Sequence, residues 1–289
     1  MGRLHAEKFA ARPDVRVVSV TDTDPERARA MASLVKKPEE KADAAVVAVP
    51  TERHFEVVRA CLEQGLHVLV EKPIASTIEQ AESLVALAAK KDRILQVGHV
   101  ERYNSVFTAL AERMPRPLYI ESERLSGFKQ RGADVDVVLD LMIHDIDLVL
   151  ALSGSGIAAV SACGFRILTR DIDIANARIE FDDGCVANLS ASRVSQAPVR
   201  KLRVFQSDLY ASADLQAGKL RYVKNSAGAL DSTETAHEKG DALAVQAAAF
   251  VKAVLKKEKP RVSGEDGLRA LEVAMKIGGL VRERLARFE

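Results

Sequence analysis

The sequence predicts an α/β protein, with a doubly wound parallel sheet up to about residue 115 and a large, mostly antiparallel sheet beyond it. Apolar runs alternate with amphipathic stretches in the first part, which is typical of βαβ units. Later β-like runs follow one another with few helices between them. With 289 residues, 47% of them hydrophobic, the chain can form two domains, which we expect over 1–115 and 116–289, the last helices being able to pack back on the first.

The first domain is predicted to alternate helices with strands. Helices are expected at 2–11, 25–34, 52–64 and 77–90. Strands are expected at 15–20, 44–49, 66–70 and 94–97. Pro25 suits the first turn of a helix, Gly65 suits a helix C-terminus, and Ser76 or Thr77 suits an N-cap.

In the second domain, one apolar helix at 137–152 precedes a series of strands. These strands are expected at 118–125, 158–168, 174–181, 186–193, 202–207 and 209–215. Asp182, Asp183 and Gly184 form a turn signal between two of them. Two helices close the chain, at 241–257 and 264–288.

Composition excludes several classes of function. The formal net charge of +1 gives no basic field for nucleic acid, and the absence of tryptophan disfavours a base-stacking surface. No apolar run reaches membrane-spanning length and no signal peptide is recognised. The three cysteines lack metal-site spacing, so we expect reduced thiols, no metal and a cytoplasmic location.

An apolar run ends in a lysine followed by proline, at residues 66–73. Pro73 fixes its own φ and favours an extended conformation for Lys72, so the next helix cannot begin early. Ligands bind outside the carboxyl ends of strands in an open α/β sheet. Lys72 is therefore placed to contact a substrate, although a surface lysine at a strand end is the alternative interpretation.

A second candidate pair lies on the apolar helix at 137–152. Asp140 and His144 are four residues apart, so they share a helix face. A carboxylate beside a histidine can orient the ring and favour its charged form, which suits proton transfer near neutral pH. The alternative is a core histidine capped by an aspartate of its own helix.

The start of the chain lacks part of a dinucleotide-binding motif, which normally consists of a strand, a G-x-G-x-x-G turn and a helix. Gly2 can only be the last glycine of that turn. Asp22 follows the next predicted strand, where an acidic residue usually holds a ribose. Because the first strand and two glycines are absent, we expect either a start codon placed too late or a truncated chain that binds cofactor poorly.

Taken together, these motifs resemble the Gfo/Idh/MocA family of oxidoreductases. The matching features are Gly2 to His5, Val49-Pro50-Thr51 with His54, Glu71-Lys72-Pro73, Asp140 with His144, and Asp147. The resemblance implies an N-terminal Rossmann-like NAD(P) domain and a C-terminal α+β domain. It also implies a homodimer or homotetramer formed through the C-terminal sheet.

Two segments, 98–104 and 140–147, are most similar to the subgroup of this family that oxidises the C3 hydroxyl of UDP-N-acetylglucosamine. That resemblance implies a nucleotide-sugar substrate and a ketone product, which is then aminated for lipid A biosynthesis.

The mechanism expected from the resemblance assigns His144 as the base, Asp140 as its orienting group and Lys72 as the cation that stabilises the alkoxide. The roles of Lys72 and His144 can be exchanged. The residues expected to bind cofactor are Gly2, Arg3, Asp22, Pro50, Thr51, His54, Glu71 and Lys72. Those expected to bind substrate are Lys72, His99, Arg102, Tyr103, Asn104, Asp140 and His144.

Asp22 favours NAD over NADP, because a carboxylate accepts hydrogen bonds from the ribose hydroxyls and repels a 2′-phosphate. Arg27 and Arg29 on the next helix keep NADP open as the less favoured cofactor. A different class also stays open, namely a catalytically impaired regulator that binds a sugar or nucleotide, or a truncated remnant of such an enzyme. All three catalytic candidates are present, which favours the enzyme.

Overall fold

The computed structural model describes residues 1–36, 40–128, 135–226, 229–238 and 240–288. The chain divides into two compact units. The first comprises Met1–Val100 and Asp241–Leu268, and the second Glu101–Gly240 and Arg269–Glu289. Within the described ranges, no helix combines the length and the apolar character needed to cross a bilayer.

The first unit contains a three-stranded parallel sheet in the order β1-β2-β3. Its strands are β1 (Ala44–Val47), β2 (His67–Val70) and β3 (Leu95–Val97). Its helices are α1 (Gly2–Ala10), α2 (Pro25–Ala30), α3 (His54–Glu63), α4 (Ile78–Lys90) and α7 (Ala242–Lys256), with 3₁₀ turns at Ala32–Leu34 and Thr51–Arg53. Thr77 caps α4 by accepting a hydrogen bond from the Gln80 N–H at 3.3 Å, and Gly65 adopts a left-handed φ of +81° after α3.

The strand predicted at 15–20 is wrong, because these residues form no ladder with any described strand. Val15 and Val17 nevertheless pack against the core around Phe9 and Leu69. The Val17 carbonyl accepts a hydrogen bond from the Lys36 N–H at 2.7 Å. An apolar segment becomes a strand only where a neighbouring backbone satisfies its N–H and C=O groups. Here Val15 and Val17 are partly buried without that partner.

The second unit contains an eight-stranded sheet in the order β11-β10-β9-β8-β4-β7-β6-β5. Every neighbouring pair is antiparallel except β4 with β7. The strands are β4 (Tyr119–Leu125), β5 (Ile157–Phe165), β6 (Ile174–Phe181), β7 (Val186–Ser192), β8 (Val199–Phe205), β9 (Leu209–Asp214), β10 (Lys219–Ser226) and β11 (Ala229–Ala236). The helices are α5 (Ser105–Arg113) and α6 (Ile143–Ser153), and α8 (Gly264–Leu285) begins in the first unit and continues here. The predicted fold class is therefore confirmed.

Two features of the second unit were not predicted. The first is the hairpin of β10 and β11. All eight side chains of β11 are exposed, so its sequence shows no alternation of apolar and polar residues from which a strand could be predicted. The predicted helix at 137–152 opens with a π turn at Val138–Met142 before α6 begins. That turn changes the direction in which Asp140 projects relative to an uninterrupted α-helix.

Gly164 on β5 marks a close approach between neighbouring elements. A Cβ atom there would lie 2.6 Å from the Ile174 carbonyl oxygen and 2.8 Å from Cγ1 of Val281. We expect Gly164→Ala to destabilise the protein by about 1–3 kcal/mol, measured by urea unfolding. The matched control is Gly279→Ala in α8, where a Cβ meets no described atom within 4 Å and alanine should be neutral or stabilising. Equal stability of the two variants would contradict the prediction.

Candidate active site

The carboxyl ends of the three parallel strands bring three predicted segments to one edge of the first unit's sheet. The Glu71 N–H donates to the Val47 carbonyl at 2.9 Å, and the Gly98 N–H donates to the Val70 carbonyl at 2.7 Å. The loops after β1, β2 and β3 therefore lie side by side. This is the edge at which open α/β sheets bind ligands, and Lys72 lies there half-buried.

His54 joins two of these loops from beneath. Its ring is 1% exposed. Nδ1 lies 2.7 Å from the Pro73 carbonyl oxygen and Nε2 lies 3.0 Å from the Val49 carbonyl oxygen. The sequence predicted that His54 lines the cofactor. Both ring nitrogens have backbone partners, so His54 supports the loops that carry Pro50 and Lys72, and its contact with the cofactor stays a prediction.

Helix α1 is tied to the same edge through His5 and Glu71. Nε2 of His5 lies 2.6 Å from Oε1 of Glu71, and the histidine is 2% exposed. A Cβ on Gly98 would lie 3.1 Å from the Glu71 Cα, so glycine is needed where these backbones meet. A Cβ on Gly2 would lie 3.9 Å from Cβ of Ala48. The N-terminus of α1 therefore lies beside the end of β1, where its dipole favours an anion.

Two other predicted cofactor residues are exposed. The Arg3 Nε donates to Glu7 at 2.8 Å on the surface of α1. Asp22 follows the unpaired segment at 15–20, and its Oδ1 accepts from the Asp24 N–H at 2.9 Å. The first unit thus offers an exposed carboxylate for ribose hydroxyls and a helix N-terminus for phosphate. These groups fit a nicotinamide dinucleotide.

Asp140 and His144 lie at the opening of α6 in the second unit, and both are half-buried. Asp140 belongs to the π turn and His144 is the second residue of α6. Asp136 starts this segment by accepting hydrogen bonds from the N–H groups of Val138 and Leu139, both at 3.0 Å. Single π turns within helices occur frequently at functional sites.

Most of the predicted substrate residues are held by the fold. Arg102 donates from Nε to Oδ2 of Asp147 at 2.8 Å, and the Asp147 side chain is 1% exposed. Tyr103 is buried, and in the first unit His99 is also buried. Substrate contact by these three residues stays a prediction.

Asn104 uses both ends of its amide within the second unit. Its Oδ1 accepts from the Val106 N–H at 3.0 Å, which caps α5. Its Nδ2 donates to the Leu215 carbonyl at 3.2 Å. The side chain therefore has a structural role that the sequence did not predict, and its substrate contact also stays a prediction.

Sequence reasoning missed a buried ionic network next to His144. Arg124 donates from Nε and Nη2 to the two carboxylate oxygens of Asp145, at 2.7 and 3.0 Å. Its Nη1 donates to Oε1 of Glu101 at 3.1 Å, and Arg200 donates to the same oxygen at 3.1 Å. The two-residue period of β4 is a signal that could have indicated it. Arg124 lies on the same face of the strand as Ile120 and Ser122, and all three side chains are buried.

Burial of Arg124 affects the pKa of its guanidinium in two opposing ways. Desolvation lowers this pKa, and the carboxylates of Asp145 and Glu101 more than offset that effect, so the pKa lies above its ordinary value. Arg124 is therefore a permanent buried cation whose charge is balanced by its two carboxylate partners.

The predicted residues thus fall into two groups, one in each unit. The first group comprises the exposed residues Arg3 and Asp22 together with those at or beside the strand ends, which are Gly2, Pro50, Thr51, His54, Glu71, Lys72 and His99. The second group lies on the segment before α5, the π turn and α6, and comprises Arg102, Tyr103, Asn104, Asp140 and His144.

The whole of both units resembles proteins of known fold and activity. UDP-N-acetylglucosamine 3-dehydrogenase of Acidithiobacillus ferrooxidans is 34% identical over 99% of this chain and 96% of the relative. A solved structure of that enzyme superposes with a TM-score of 0.91 and covers 96% of this chain and 93% of its own. Myo-inositol 2-dehydrogenase of Thermotoga maritima is 26% identical over 94% of this chain and 90% of the relative.

A more distant structure shows the shared fold alone. Scyllo-inositol dehydrogenase of Lactobacillus casei, solved with bound NAD(H) and scyllo-inositol, superposes with a TM-score of 0.82 at 19% identity. The superposition covers 98% of this chain and 94% of that dehydrogenase.

Two family models match consecutive parts of the chain. Residues 1–99 match the oxidoreductase family with an NAD-binding Rossmann fold, and residues 98–208 match the Gfo/Idh/MocA C-terminal domain. The chain therefore belongs to the Gfo/Idh/MocA family of oxidoreductases, and its first 99 residues match the NAD-binding Rossmann fold of that family.

Proposed function

We propose that this oxidoreductase uses NAD to oxidise a secondary hydroxyl of a nucleotide-linked sugar, and that the group oxidised is the C3 hydroxyl of UDP-N-acetylglucosamine. The observation that carries the proposal is the position of Asp140 and His144 at the half-buried opening of α6, in a chain that matches such an enzyme from end to end. A substrate hydroxyl there would meet a base and its orienting carboxylate together.

Oxidation of an alcohol removes a proton from oxygen and a hydride from carbon. NAD, when bound, supplies the acceptor for the hydride. The His144 imidazole takes the hydroxyl proton, and Asp140 orients the ring and stabilises its protonated form. The Lys72 ammonium group stabilises the negative charge that develops on the same oxygen. The alcohol thereby becomes a ketone.

The roles of Lys72 and His144 can also be exchanged. Lysine can serve as a general base where its surroundings disfavour the charged form. In that case His144 would donate a hydrogen bond to the substrate oxygen. The pH dependence of variants at the two positions distinguishes these assignments.

Asp22 sets the choice of dinucleotide in this proposal. We expect Asp22→Ala to lower the ratio of kcat/KM for NAD to kcat/KM for NADP by about tenfold or more, because a charge-assisted hydrogen bond to ribose is lost and repulsion of the 2′-phosphate is removed. The matched control is Asp14→Ala, since Asp14 is an exposed aspartate paired with Arg12 at 2.7 Å. An unchanged ratio would remove Asp22 from ribose recognition.

The substrate proposal is tested by incubating the purified chain with NAD and separate candidate alcohols while NADH absorbance is followed. UDP-N-acetylglucosamine should give NADH, and myo-inositol should give at least about a hundredfold lower kcat/KM, since the polar contacts made to the nucleotide are lost. Faster turnover of myo-inositol than of every nucleotide sugar would overturn the substrate, and the dehydrogenase assignment would stand.

A further inference from the structure

The ionic network of the second unit has no part in the proposed chemistry, yet it is buried and includes Asp145, the residue that directly follows the proposed base. The side chains of Arg124, Asp145 and Glu101 are between 4% and 8% exposed. Arg200 is half exposed and marks the outer end of the network. Its inner end is Asp145, which directly follows His144 on α6.

The contact between Arg124 and Asp145 is a two-point fork, with donor–acceptor distances of 2.7 and 3.0 Å. A planar guanidinium that binds both oxygens of a carboxylate fixes the direction of that carboxylate as well as its distance. Because Asp145 lies in the first turn of α6, the fork also fixes the rotation of the turn that carries His144.

Arg124 is itself held by a rigid element. It lies on β4, which pairs with β7 on one side and with β8 on the other. Arg200 is its cross-strand neighbour on β8. The guanidinium thus links the first turn of α6 to a central strand of the eight-stranded sheet.

The third contact of Arg124 reaches the segment that precedes α5. Glu101 is the second residue of the 3₁₀ turn Val100–Tyr103, which also carries Arg102, and its Oε1 accepts from Nη1 of Arg124 at 3.1 Å. The Arg102–Asp147 pair is a second link between this turn and α6. One buried cation therefore holds the base and the predicted substrate segment to the same strand.

Stability alone gives a weak reason for such a network. Desolvation of buried ions largely cancels their attraction, so apolar replacements of similar volume are often neutral or even stabilising. A fixed direction for a catalytic group is a benefit that an apolar side chain cannot provide.

We propose that Arg124 is a positioning residue, which sets the direction of His144 through Asp145 and holds the segment at 101–104 through Glu101. The inference rests on the proposed function, because Arg124 acts on the reaction through His144.

The test compares Arg124→Met, Arg124→Lys and Asp145→Asn in the full chain, with and without His144→Ala. Arg124→Met should lower kcat by about 10- to 100-fold, as losses of supporting contacts around catalytic ligands do, with KM for NAD within about twofold of the original. Arg124→Lys keeps the charge without the fork and should recover part of the rate. In the His144→Ala background, Arg124→Met should lower kcat by less than about threefold, because the group that Arg124 positions is gone.

Arg203→Met is the matched control. Arg203 pairs with Glu121 across β8 and β4 at 2.9 Å on the more exposed face of the same two strands. This variant removes a cross-strand ion pair and should leave kcat unchanged.

Four results would count against the inference. A folded Arg124→Met protein with the original kcat would overturn it, and so would an equal loss of rate with and without His144. If Arg124→Met does not fold, the isosteric variant Asp145→Asn replaces it in the test. A kcat of Asp145→Asn within about twofold of the original would then overturn the inference. Full activity of His144→Ala would instead overturn the proposed base and the inference with it.

Discussion

Replacing His144 by alanine is expected to lower kcat by about 10²- to 10⁴-fold, the range typical of a lost general base. His144 is half-buried at the start of α6, and the helix after it is apolar and well packed, so the fold should persist. Steady-state NADH formation measures the loss, and circular dichroism checks the fold. With His144 as the base, the fall of kcat toward acidic pH should disappear in this variant.

The control for His144 is His237→Ala. His237 is outside the proposed site, in the second unit, with Nε2 3.1 Å from Oγ1 of Thr235. Its replacement should leave kcat and its pH dependence unchanged. If His144→Ala turned over UDP-N-acetylglucosamine at the original rate while the fold was intact, the imidazole would have no part in proton transfer.

Replacing Lys72 by methionine is expected to lower kcat by about 10²- to 10³-fold, because a charge placed at the developing alkoxide is removed while the volume is nearly kept. The fall of kcat toward acidic pH, which is the acid limb of the pH profile, should remain, since the base His144 is still present. Lys90→Met in α4 is the matched control, because Lys90 is an exposed lysine of the same unit.

The same pair of variants separates the two mechanistic assignments. Loss of the acid limb in Lys72→Met, with retention in His144→Ala, would show that the lysine is the base and that the roles are exchanged. Near-original turnover in both variants would remove the two residues from the mechanism altogether.

Much of the fold could be predicted because local patterns agree with it. The strand at Ile174–Phe181 was predicted with its observed bounds, since its apolar and polar residues alternate from Ala175 to Phe181. Residues 66–70 were recognisable as a strand from their apolar run and from the Gly65 turn before it. The candidate site was found through residues whose backbone is constrained, as Lys72 is by Pro73.

What could not be predicted depends on partners far away in the sequence. Val15 to Val20 has the composition of a strand, but whether it becomes one depends on a neighbouring backbone. His54 was predicted to bind cofactor, and only the distances to the Val49 and Pro73 carbonyls show that its ring also supports two loops. The partners of Arg124 lie 21 and 23 positions away, so no short motif could reveal them.

The NAD-binding unit is assembled from two stretches of chain, and this has a consequence for biosynthesis. The ring of Phe9 meets that of Phe250 edge-on, with centroids 6.2 Å apart, and Leu69 belongs to the same cluster. A ribosome releases Phe9 and Leu69 long before it reaches codon 250. The apolar surface around them therefore stays exposed on the nascent polypeptide for most of translation, and such a surface is one that chaperones bind.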